Sequence, residues 1–382
     1  MRILTVTVSL DPLDGGKPAR TIQFCQALKS VGLDVGILST SKGFDRYKSS
    51  IPAGISLTVL PLLSKRFFIP VWFPGQINKL IQEYDVVQLM GHWNVLNVLV
   101  WHAALNAGVP LVVCPAGELA MAGRSRLLKL TFQRLIGKRI LVSASGYIAI
   151  AENEIEDFMA NGITANRVML LPNGIDPSLM VPGDVVDFRK KFQISSGPIV
   201  LFVGRLDPVK GPDLLLEAFL EVADLYPEHQ LVYVGPDYGA LSDLQVRIKG
   251  HPAASQVHFI GYLDIKDKAT AYAAADLVVV PSRKEAMSLI VVEAGALRKT
   301  VLMSDQCGLE KLAHVDAVCL APATVAGLRL GLEKLLADEA LRKRLADRLH
   351  AETLSNFTWD KVAIRASEYF LKIYGNSLSH GP

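Results

Sequence analysis

At 382 residues the chain is too long for one typical hydrophobic core and suits two domains of ordinary size. Hydrophobic residues make up 50% of it and charged residues 20%, which is typical of a globular protein. The formal net charge of only +3 argues against a general nucleic-acid-binding protein. Four scattered cysteines show no paired metal-ligand spacing and are typical of buried thiols in a reducing compartment.

The first residues, MRILTVTVSL, contain one basic residue but no long apolar run and no small-residue cleavage site, so we expect no signal peptide. The most apolar region, residues 95–116, is interrupted by polar residues and a proline and does not predict a transmembrane helix. We therefore expect a cytoplasmic protein that contacts any membrane from its surface.

Short apolar runs with the character of buried strands alternate with helical patterns along the chain. Predicted strands cover residues 3–8, 35–38, 57–60, 86–89, 111–113, 147–150, 199–203, 231–234, 257–260, 277–280, 301–303 and 317–320. Predicted helices between them include residues 19–30, 95–106, 213–225 and 269–275. The alternation predicts two doubly wound α/β domains with parallel sheets, joined within the Pro- and Gly-containing segment 172–197. A ligand is then expected in the cleft between them.

The first candidate site is the loop Asp14-Gly15-Gly16-Lys17, which follows the first predicted strand and precedes a helix. Paired glycines let the backbone approach a ligand closely, and the helix offers amides to an anion. The spacing matches neither the dinucleotide fingerprint nor a P-loop. An ordinary strand-to-helix turn fits the same residues.

Two segments indicate a membrane-facing surface. The segment from Lys65 to Phe73 places two basic residues beside four aromatic ones, a combination that suits a membrane interface. The segment from Arg124 to Arg139 carries six positive charges without an acid, and each could contribute about 1 kcal/mol near an anionic leaflet. A core helix with a solvated basic side is the alternative.

Two loops at predicted strand ends carry polar candidates. His92 in GHWN follows the strand 86–89, although a lone histidine is more often structural. Arg205 and Lys210 follow the strand 199–203 in a loop that leads into a helix. Two cations at that position suit a diphosphate, and a solvated loop is the alternative.

The segment 278–297, VVVPSRKEAMSLIVVEAGAL, predicts a strand, a polar loop and a helix with Ser288 as its N-cap. Amides such as that of Leu289 and the positive end of the helix dipole then favour phosphate. Glu285 and Glu293 lie on either side of the cap. Glu293 is about 7.5 Å along the helix axis, which allows a diphosphate on the amides and a ribose on the carboxylate. A buried strand and helix with two exposed acids is the alternative.

Several motifs together resemble the retaining glycosyltransferase family 4, which has the GT-B architecture. They are the Gly15-Gly16 loop, the segment PNGID at 172–176, Gly204-Arg205-Leu206 with Lys210-Gly211, VHFIGYL at 257–263, the pair Glu285 and Glu293, and FTWDKVA at 357–363. They occur in family order across nearly the whole chain. The resemblance implies two Rossmann-like domains facing each other across a cleft. It further implies an acceptor and membrane-side domain over 1–172, a nucleotide-sugar donor domain over 173–358, and a C-terminal helix, 359–382, that packs back on the first.

Carried over by position, the resemblance implies a role for each matching residue. Arg205 and Lys210 would hold the donor diphosphate and stabilise the leaving nucleotide. Glu293 would bind the ribose hydroxyls and Glu285 the donor sugar. Further donor contacts are implied at Gly15, Gly16, Asn173, Gly204, Met287, Ser288 and Leu289.

The implied chemistry is transfer from a nucleotide-diphosphate sugar to a glycan or lipid-linked acceptor in cell-surface polysaccharide or lipopolysaccharide synthesis, with retention of configuration. Cations and a helix N-terminus stabilise the leaving group, so we expect no metal and no cofactor. No Asp-X-Asp occurs in the chain, so the ligand pair of the metal-dependent architecture is absent. The location would be cytoplasmic and peripheral at the inner membrane face.

Three departures from the family pattern leave alternatives open. Met90 and Ala116 stand where histidines are frequent, and His92 is the candidate that compensates for them. Ala286 replaces a glycine next to Glu285. Arg298 and Thr300 replace the glycine and proline that usually end the following helix, which should weaken the helix stop. A nucleotide-sugar epimerase of the same architecture and a catalytically degenerate binding scaffold are the rival functions. An NAD-dependent dehydrogenase lacks its glycine fingerprint here.

Overall fold

The computed structural model describes residues 1–11, 14, 16–64, 69–72, 74–119 and 126–379. The chain forms two compact units, Met1–Gly174 with Trp359–Pro382 and Ile175–Thr358. The division falls two residues after the boundary that the sequence suggested, 172/173. No helix in the described ranges is both long and apolar enough to cross a membrane.

A seven-stranded parallel sheet forms the centre of the first unit. The strands of this unit are β1 (Arg2–Val6), β2 (Asp34–Thr40), β3 (Ser56–Leu60), β4 (Leu62–Ser64), β5 (Ile69–Pro70), β6 (Val86–Met90), β7 (Leu111–Cys114), β8 (Gly146–Ala149) and β9 (Val168–Leu170). The sheet order is β3-β2-β1-β6-β7-β8-β9, and β4 pairs only with β5, antiparallel. Every residue of β6, β7 and β8 is buried, as expected for strands covered on both faces.

Helices cover both faces of this sheet. They are α1 (Gly16–Ser30), α2 (Phe44–Tyr47), α3 (Pro74–Gln82), α4 (Val95–Ala107), α5 (Arg126–Phe132), α6 (Lys138–Ser143) and α7 (Asn153–Ala160), and a π-helical turn, Gln133–Gly137, joins α5 to α6. The final helix of the chain, Trp359–Ser379, belongs to the same unit. It packs on α1, where the ring of Phe24 lies 6.2 Å from that of Trp359 and 6.5 Å from that of Phe370.

The second unit repeats the architecture with six parallel strands. Its strands are β10 (Ile199–Val203), β11 (Gln230–Val234), β12 (Val257–Gly261), β13 (Leu277–Val280), β14 (Val301–Ser304) and β15 (Cys319–Ala321). Its helices are α8 (Val185–Lys191), α9 (Pro212–Leu220), α10 (Leu241–Ile248), α11 (Ile265–Ala274), α12 (Leu289–Ala296), α13 (Lys311–His314), α14 (Val325–Ala337) and α15 (Glu339–Asn356), so the final helix, Trp359–Ser379, is α16. The sheet order β12-β11-β10-β13-β14-β15 is the Rossmann order 3-2-1-4-5-6.

In both units the order of the strands reverses beside the first strand, where β1 pairs with β6 and β10 pairs with β13. Ligands of such sheets bind beyond the carboxyl ends of the strands at this reversal. The loops that follow these four strands are therefore the ones that position a site.

Each of the twelve predicted strands overlaps an observed one. Sequence interpretation missed three short strands, β4, β5 and β9, and the three residues of β9 are only half-buried and form no distinct pattern. The predicted helix 213–225 ends earlier than expected, since α9 stops at Leu220 and a separate 3-10 turn covers Ala223–Leu225.

Candidate functional site

The loop after β10 carries Arg205 at the carboxyl edge of the second sheet. Gly204 directly precedes it, Gly235 follows the adjacent strand β11, and a Cβ on Gly235 would lie 1.9 Å from the Gly204 carbonyl oxygen. A side chain therefore cannot fit between these two strand ends. The Arg205 guanidinium lies 3.1 Å from the Asp207 carboxylate and 5.0 Å from the centre of the Tyr238 ring.

Asp207 also shapes the turn that carries Lys210. Its carboxylate accepts hydrogen bonds of 2.9 and 3.1 Å from two amides of the 3-10 turn Pro208–Lys210 and so caps it. Gly211 follows with φ +66°, and a Cβ there would lie 2.1 Å from the Pro281 carbonyl oxygen. Only glycine permits this approach, which presses the turn against the end of β13.

This contact brings two of the predicted residues together. The Nζ atom of Lys210 lies 2.8 Å from Oε2 of Glu285, and the two side chains are 23% and 9% exposed. The other Glu285 oxygen accepts a hydrogen bond from the Ser282 hydroxyl at 2.5 Å. The carboxylate is therefore held in one orientation by a cation and a hydroxyl.

Helix α12 begins behind this pair with Ser288 at its N-cap, as the sequence predicts. The Ser288 amide donates to the Cys307 carbonyl at 2.9 Å, but its hydroxyl makes no capping bond and is buried without a hydrogen-bond partner. Leaving a buried polar group unpaired costs about 1–3 kcal/mol. The first amides of a helix, including that of Leu289, also lack partners within the helix. Together these groups are donors suited to an anion.

Glu293 is held by two residues that sequence interpretation missed. Lys268 Nζ lies 2.7 Å from one carboxylate oxygen, and the Tyr272 hydroxyl donates to the other at 2.7 Å. Burial, together with the adjacent Glu293, raises the pKa of Tyr272 well above its usual range, so the phenol remains a donor at neutral pH. Both residues lie on α11 with i, i+4 spacing, but the predicted helix, 269–275, did not include Lys268.

The first unit has a polar cavity of about 260 Å³ beyond β1 and β6. Residues that line it are Thr7, Val8, Ser9, Asp14, Lys17, Pro18, Lys42, Met90, Trp93, Asn94 and Glu118. Lys17 pairs with Glu118, and Lys42 Nζ lies 2.5 Å from an Asp14 carboxylate oxygen. Burial lowers the pKa of Lys17, and the neighbouring Asp14 opposes that effect.

The side chain of His92 is 1% exposed and does not line this cavity. Its Nε2 atom lies 2.7 Å from the Gln133 side-chain oxygen, and its ring packs edge-on against Trp93 and Phe132. Burial lowers the pKa of His92. The catalytic role that the sequence suggested for His92 remains a prediction, and in this environment its ring packs against two aromatic side chains. The His92 amide instead donates to Glu118 at 2.7 Å.

The glycine loop and Asn173 are placed differently from the other candidates. Gly15 lies outside the described residues, while Gly16 begins α1 and a Cβ on it would meet no atom within 4 Å. Asn173 belongs to the first unit rather than to the second as predicted, and its side-chain oxygen accepts a hydrogen bond from the buried Arg20. Donor binding by these three residues remains a prediction.

Part of the predicted membrane surface, residues 65–68, 73 and 124–125, lies outside the described residues. Its described part has apolar side chains in solvent, with Leu128 69% and Leu135 58% exposed. A groove of about 710 Å³ beside them is lined by Leu130, Arg134 and Lys138, among others.

Among the described residues, no group of three or more His, Cys, Asp or Glu side chains is placed to hold a metal ion.

Known proteins match the chain over both units. Residues 15–179 match the family model described as Glycosyltransferase Family 4, and residues 185–350 match that described as Glycosyl transferases group 1. D-inositol 3-phosphate glycosyltransferase of Jonesia denitrificans is 29% identical over 252 residues, which are 60% of this chain and only 58% of that protein. The protein of the same name from Geodermatophilus obscurus is 26% identical over 400 residues, covering 94% and 87%.

Among solved structures, Anabaena HepE in complex with UDP and glucose superimposes with a TM-score of 0.78 at 20% identity, covering 97% of this chain and 99% of that one. Two Rossmann-like units of this topology define the GT-B fold, and the fold prediction is confirmed. The chain belongs to the group 1, family 4-like glycosyltransferases.

Proposed function

We propose that the protein transfers a sugar from a nucleotide-diphosphate sugar to a glycan or lipid-linked acceptor, with retention of configuration and without a metal. The supporting observation is the edge of the second unit, where Lys210 and Glu285 pair beside the N-terminus of α12 and the buried Ser288 hydroxyl lacks a partner. The UDP and glucose bound in the complex of HepE support a donor of this class.

The donor diphosphate binds to Lys210, Arg205, the first amides of α12 and the Ser288 hydroxyl. Negative charge on the diphosphate grows as the bond to the sugar breaks, so these donors stabilise the transition state more than the bound substrate. Lys210 then exchanges its bond to Glu285 for a phosphate oxygen. Glu285, still fixed by the Ser282 hydroxyl, accepts hydrogen bonds from the donor sugar.

The nucleoside end of the donor binds at Glu293. Lys268 and Tyr272 already orient this carboxylate, so little ordering is needed when the ribose hydroxyls donate to its remaining lone pairs.

Retention follows if the acceptor hydroxyl attacks from the side of the leaving group. The bond between the anomeric carbon and the phosphate oxygen breaks, a bond to the acceptor oxygen forms, and a phosphate oxygen takes the acceptor proton. No protein base is required. This route is compatible with Met90 and Ala116 in place of histidines and with the burial of His92.

The acceptor is expected at a membrane, in the synthesis of a cell-surface polysaccharide. Exposed Leu128 and Leu135 lie on the segment that also carries Arg134 and Lys138. Apolar and basic side chains together favour the surface of an anionic bilayer. A cytoplasmic, peripheral location follows from this surface.

The direct experiment incubates the full chain with UDP-glucose, UDP-galactose, UDP-N-acetylglucosamine or GDP-mannose and a panel of glycosides and lipid-linked sugars. We expect nucleoside diphosphate release that depends on the acceptor, and a product whose anomeric configuration, read by NMR, equals that of the donor. Metal chelation should leave the rate unchanged. Formation of a free sugar or an epimer without an acceptor would contradict the proposal, as would an inverted product.

A further inference from the structure

We propose that the polar cavity of the first unit binds a neutral sugar ring as the acceptor and discriminates against phosphorylated or carboxylated ones. This assignment rests on the proposed sugar transfer and names the chemical class of its acceptor. It concerns the cavity lined by Asp14, Lys17, Lys42, Trp93 and Glu118.

The size of the cavity fits a single ring. Its volume of about 260 Å³ equals that of roughly nine water molecules in the liquid, at about 30 Å³ each. A longer glycan must therefore extend out of it. Three of its polar lining residues, Thr7, Ser9 and Asn94, lie in the loops that follow β1 and β6.

The charges of the described lining residues balance. Two lysines and two acids line the cavity, and each lysine is paired, Lys17 with Glu118 and Lys42 with Asp14. Nearby, the Nε atom of Arg46 donates a hydrogen bond of 2.9 Å to the Asp11 carboxylate. An entering phosphate must therefore displace a carboxylate from its lysine, or lie against both acids. Either step opposes anion binding.

A neutral polyol meets no such penalty. Each sugar hydroxyl both donates and accepts, and a paired ammonium and carboxylate present a donor and an acceptor side by side. Neighbouring hydroxyls of one ring can therefore bond to both members of a pair without separating them. Charge-assisted hydrogen bonds of this kind are stronger than those between neutral groups.

Trp93 supplies the apolar wall that a sugar ring needs. Its indole nitrogen donates to the Glu118 carbonyl oxygen, and its ring packs edge-on against His92 and Phe132. These contacts fix the indole, so the C–H face of a pyranose can pack against a rigid aromatic surface. Lys129 lies 5.6 Å from the ring centre but is not among the lining residues.

Ligand binding to the full chain without donor tests the assignment. Saturation-transfer NMR and titration would compare methyl glycosides of glucose, mannose and galactose with glucose 6-phosphate, glucuronate and D-inositol 3-phosphate. We expect at least one neutral glycoside to bind, and every anionic ligand to bind at least tenfold more weakly. Equal or tighter binding of any anionic ligand, or no binding of any neutral glycoside at tens of millimolar, would overturn it.

Variants locate the binding in this cavity. Trp93→Ala should abolish glycoside binding, and Asp14→Asn with Glu118→Gln should tighten anion binding at least tenfold by removing the two carboxylate charges that face the lysines. The single change Asp14→Asn should give part of that gain if the double variant does not fold. Asp45→Asn, which breaks an exposed ion pair with Lys48 in the same unit, is the matched control. It should change neither glycoside binding nor anion binding. Unaltered glycoside binding by Trp93→Ala would also refute the claim that glycosides bind in this cavity.

The two proposals can fail separately. Neutral glycosides that bind but never receive a sugar from any donor would remove the transferase function and leave the cavity assignment intact. Transfer that proceeds to D-inositol 3-phosphate in preference to neutral glycosides would leave the transferase function and remove the cavity assignment.

Discussion

Two buried serines at the edge of the second unit differ in how their hydroxyls are bonded. Ser288 buries a hydroxyl without a partner, although its helix offers amides that the hydroxyl could have capped. Ser304, close by, is the contrasting case, since its buried hydroxyl donates to the Ser282 carbonyl at 2.5 Å. The Ser304 hydroxyl is therefore engaged in a hydrogen bond, and the Ser288 hydroxyl is not.

This difference predicts opposite responses to alanine. Ser288→Ala should leave the melting temperature unchanged or raise it, because it removes an unpaired polar group, and should weaken nucleoside diphosphate binding several-fold. Ser304→Ala should lower the stability by about 1 kcal/mol through loss of a hydrogen bond. Thermal unfolding and UDP titration of both variants would measure this. Destabilisation by Ser288→Ala, with unchanged UDP affinity, would contradict the role given to its hydroxyl.

The buried imidazole of His92 predicts a dependence of stability on pH. Burial lowers its pKa from the ordinary value of 6.5, so the unfolded chain takes up the proton first as pH falls. The contribution of His92 to the free energy of unfolding is therefore complete above pH 6.5. It declines as the pH falls from there through the pKa of His92 in the folded protein. His92→Gln should flatten the loss of melting temperature between pH 7.5 and 5.5 and leave turnover at pH 7.5 nearly unchanged. A hundredfold loss of turnover would restore the catalytic interpretation.

Among the secondary-structure elements, α12 shows how much a sequence pattern conveys. Its N-cap was predictable from Ser288, but its end was expected to be weakened by Arg298 in place of glycine. The structure instead contains a complete Schellman motif, with Lys299 N bonded to Ala294 O at 2.9 Å and Arg298 N to Gly295 O at 3.0 Å. Arg298 adopts φ +52° to make it, as Gly108 does with φ +67° at the end of α4.

A non-glycine residue in this conformation costs about 1 kcal/mol. Arg298→Gly should therefore raise the free energy of unfolding by about 1 kcal/mol, since the exposed pair with Asp347, at 3.3 Å, contributes little. Gly108→Ala, the reverse change in the same motif, should lower it by a similar amount. Chemical denaturation of both variants would test this, and a fall in stability of Arg298→Gly would show that the ion pair outweighs the strain.

The strands were predictable for a simple reason. A buried parallel strand such as β13 is an uninterrupted apolar run, whereas the half-buried, three-residue β9 has no such signature. The candidate site was predictable only in part. Lys210 and Glu285 are 75 residues apart in sequence, and the contact between Gly211 and Pro281 that joins their loops depends on the folded backbone. Lys268, Tyr272 and the pairing of Lys17 with Glu118 depend on it in the same way.

For the whole molecule, the two units divide the proposed work, with the donor bound on the second and the acceptor on the first. The sequence indicated two domains because apolar strands recur in two series around a Pro- and Gly-containing segment. The sequence placed Asn173 in the second domain, because a boundary inside a loop leaves no periodic signal. In the structure Asn173 belongs to the first unit, where it accepts a hydrogen bond from Arg20.

Membrane association is a property of the whole molecule and can be measured as such. Co-sedimentation with vesicles should rise as anionic lipid replaces zwitterionic lipid and fall as salt rises, because the attraction is screened over about 10 Å at 0.1 M. Replacement of Arg134 and Lys138 by serine should reduce it several-fold, and replacement of the exposed Lys343 in the second unit by serine should not. Binding that ignores lipid charge and salt would exclude this surface as the docking site.

The measurement that tests the central claim most directly is the steady-state kinetics of Lys210→Met. If Lys210 stabilises the departing diphosphate, the variant should lose at least a hundredfold in kcat while its melting temperature stays within a few degrees of the wild type, since about 2.7–4 kcal/mol of transition-state stabilisation is typical of one such donor. Lys343→Met, which breaks an exposed ion pair with Glu339, should retain full activity. Turnover of Lys210→Met equal to that of Lys343→Met would contradict the assignment of the donor site.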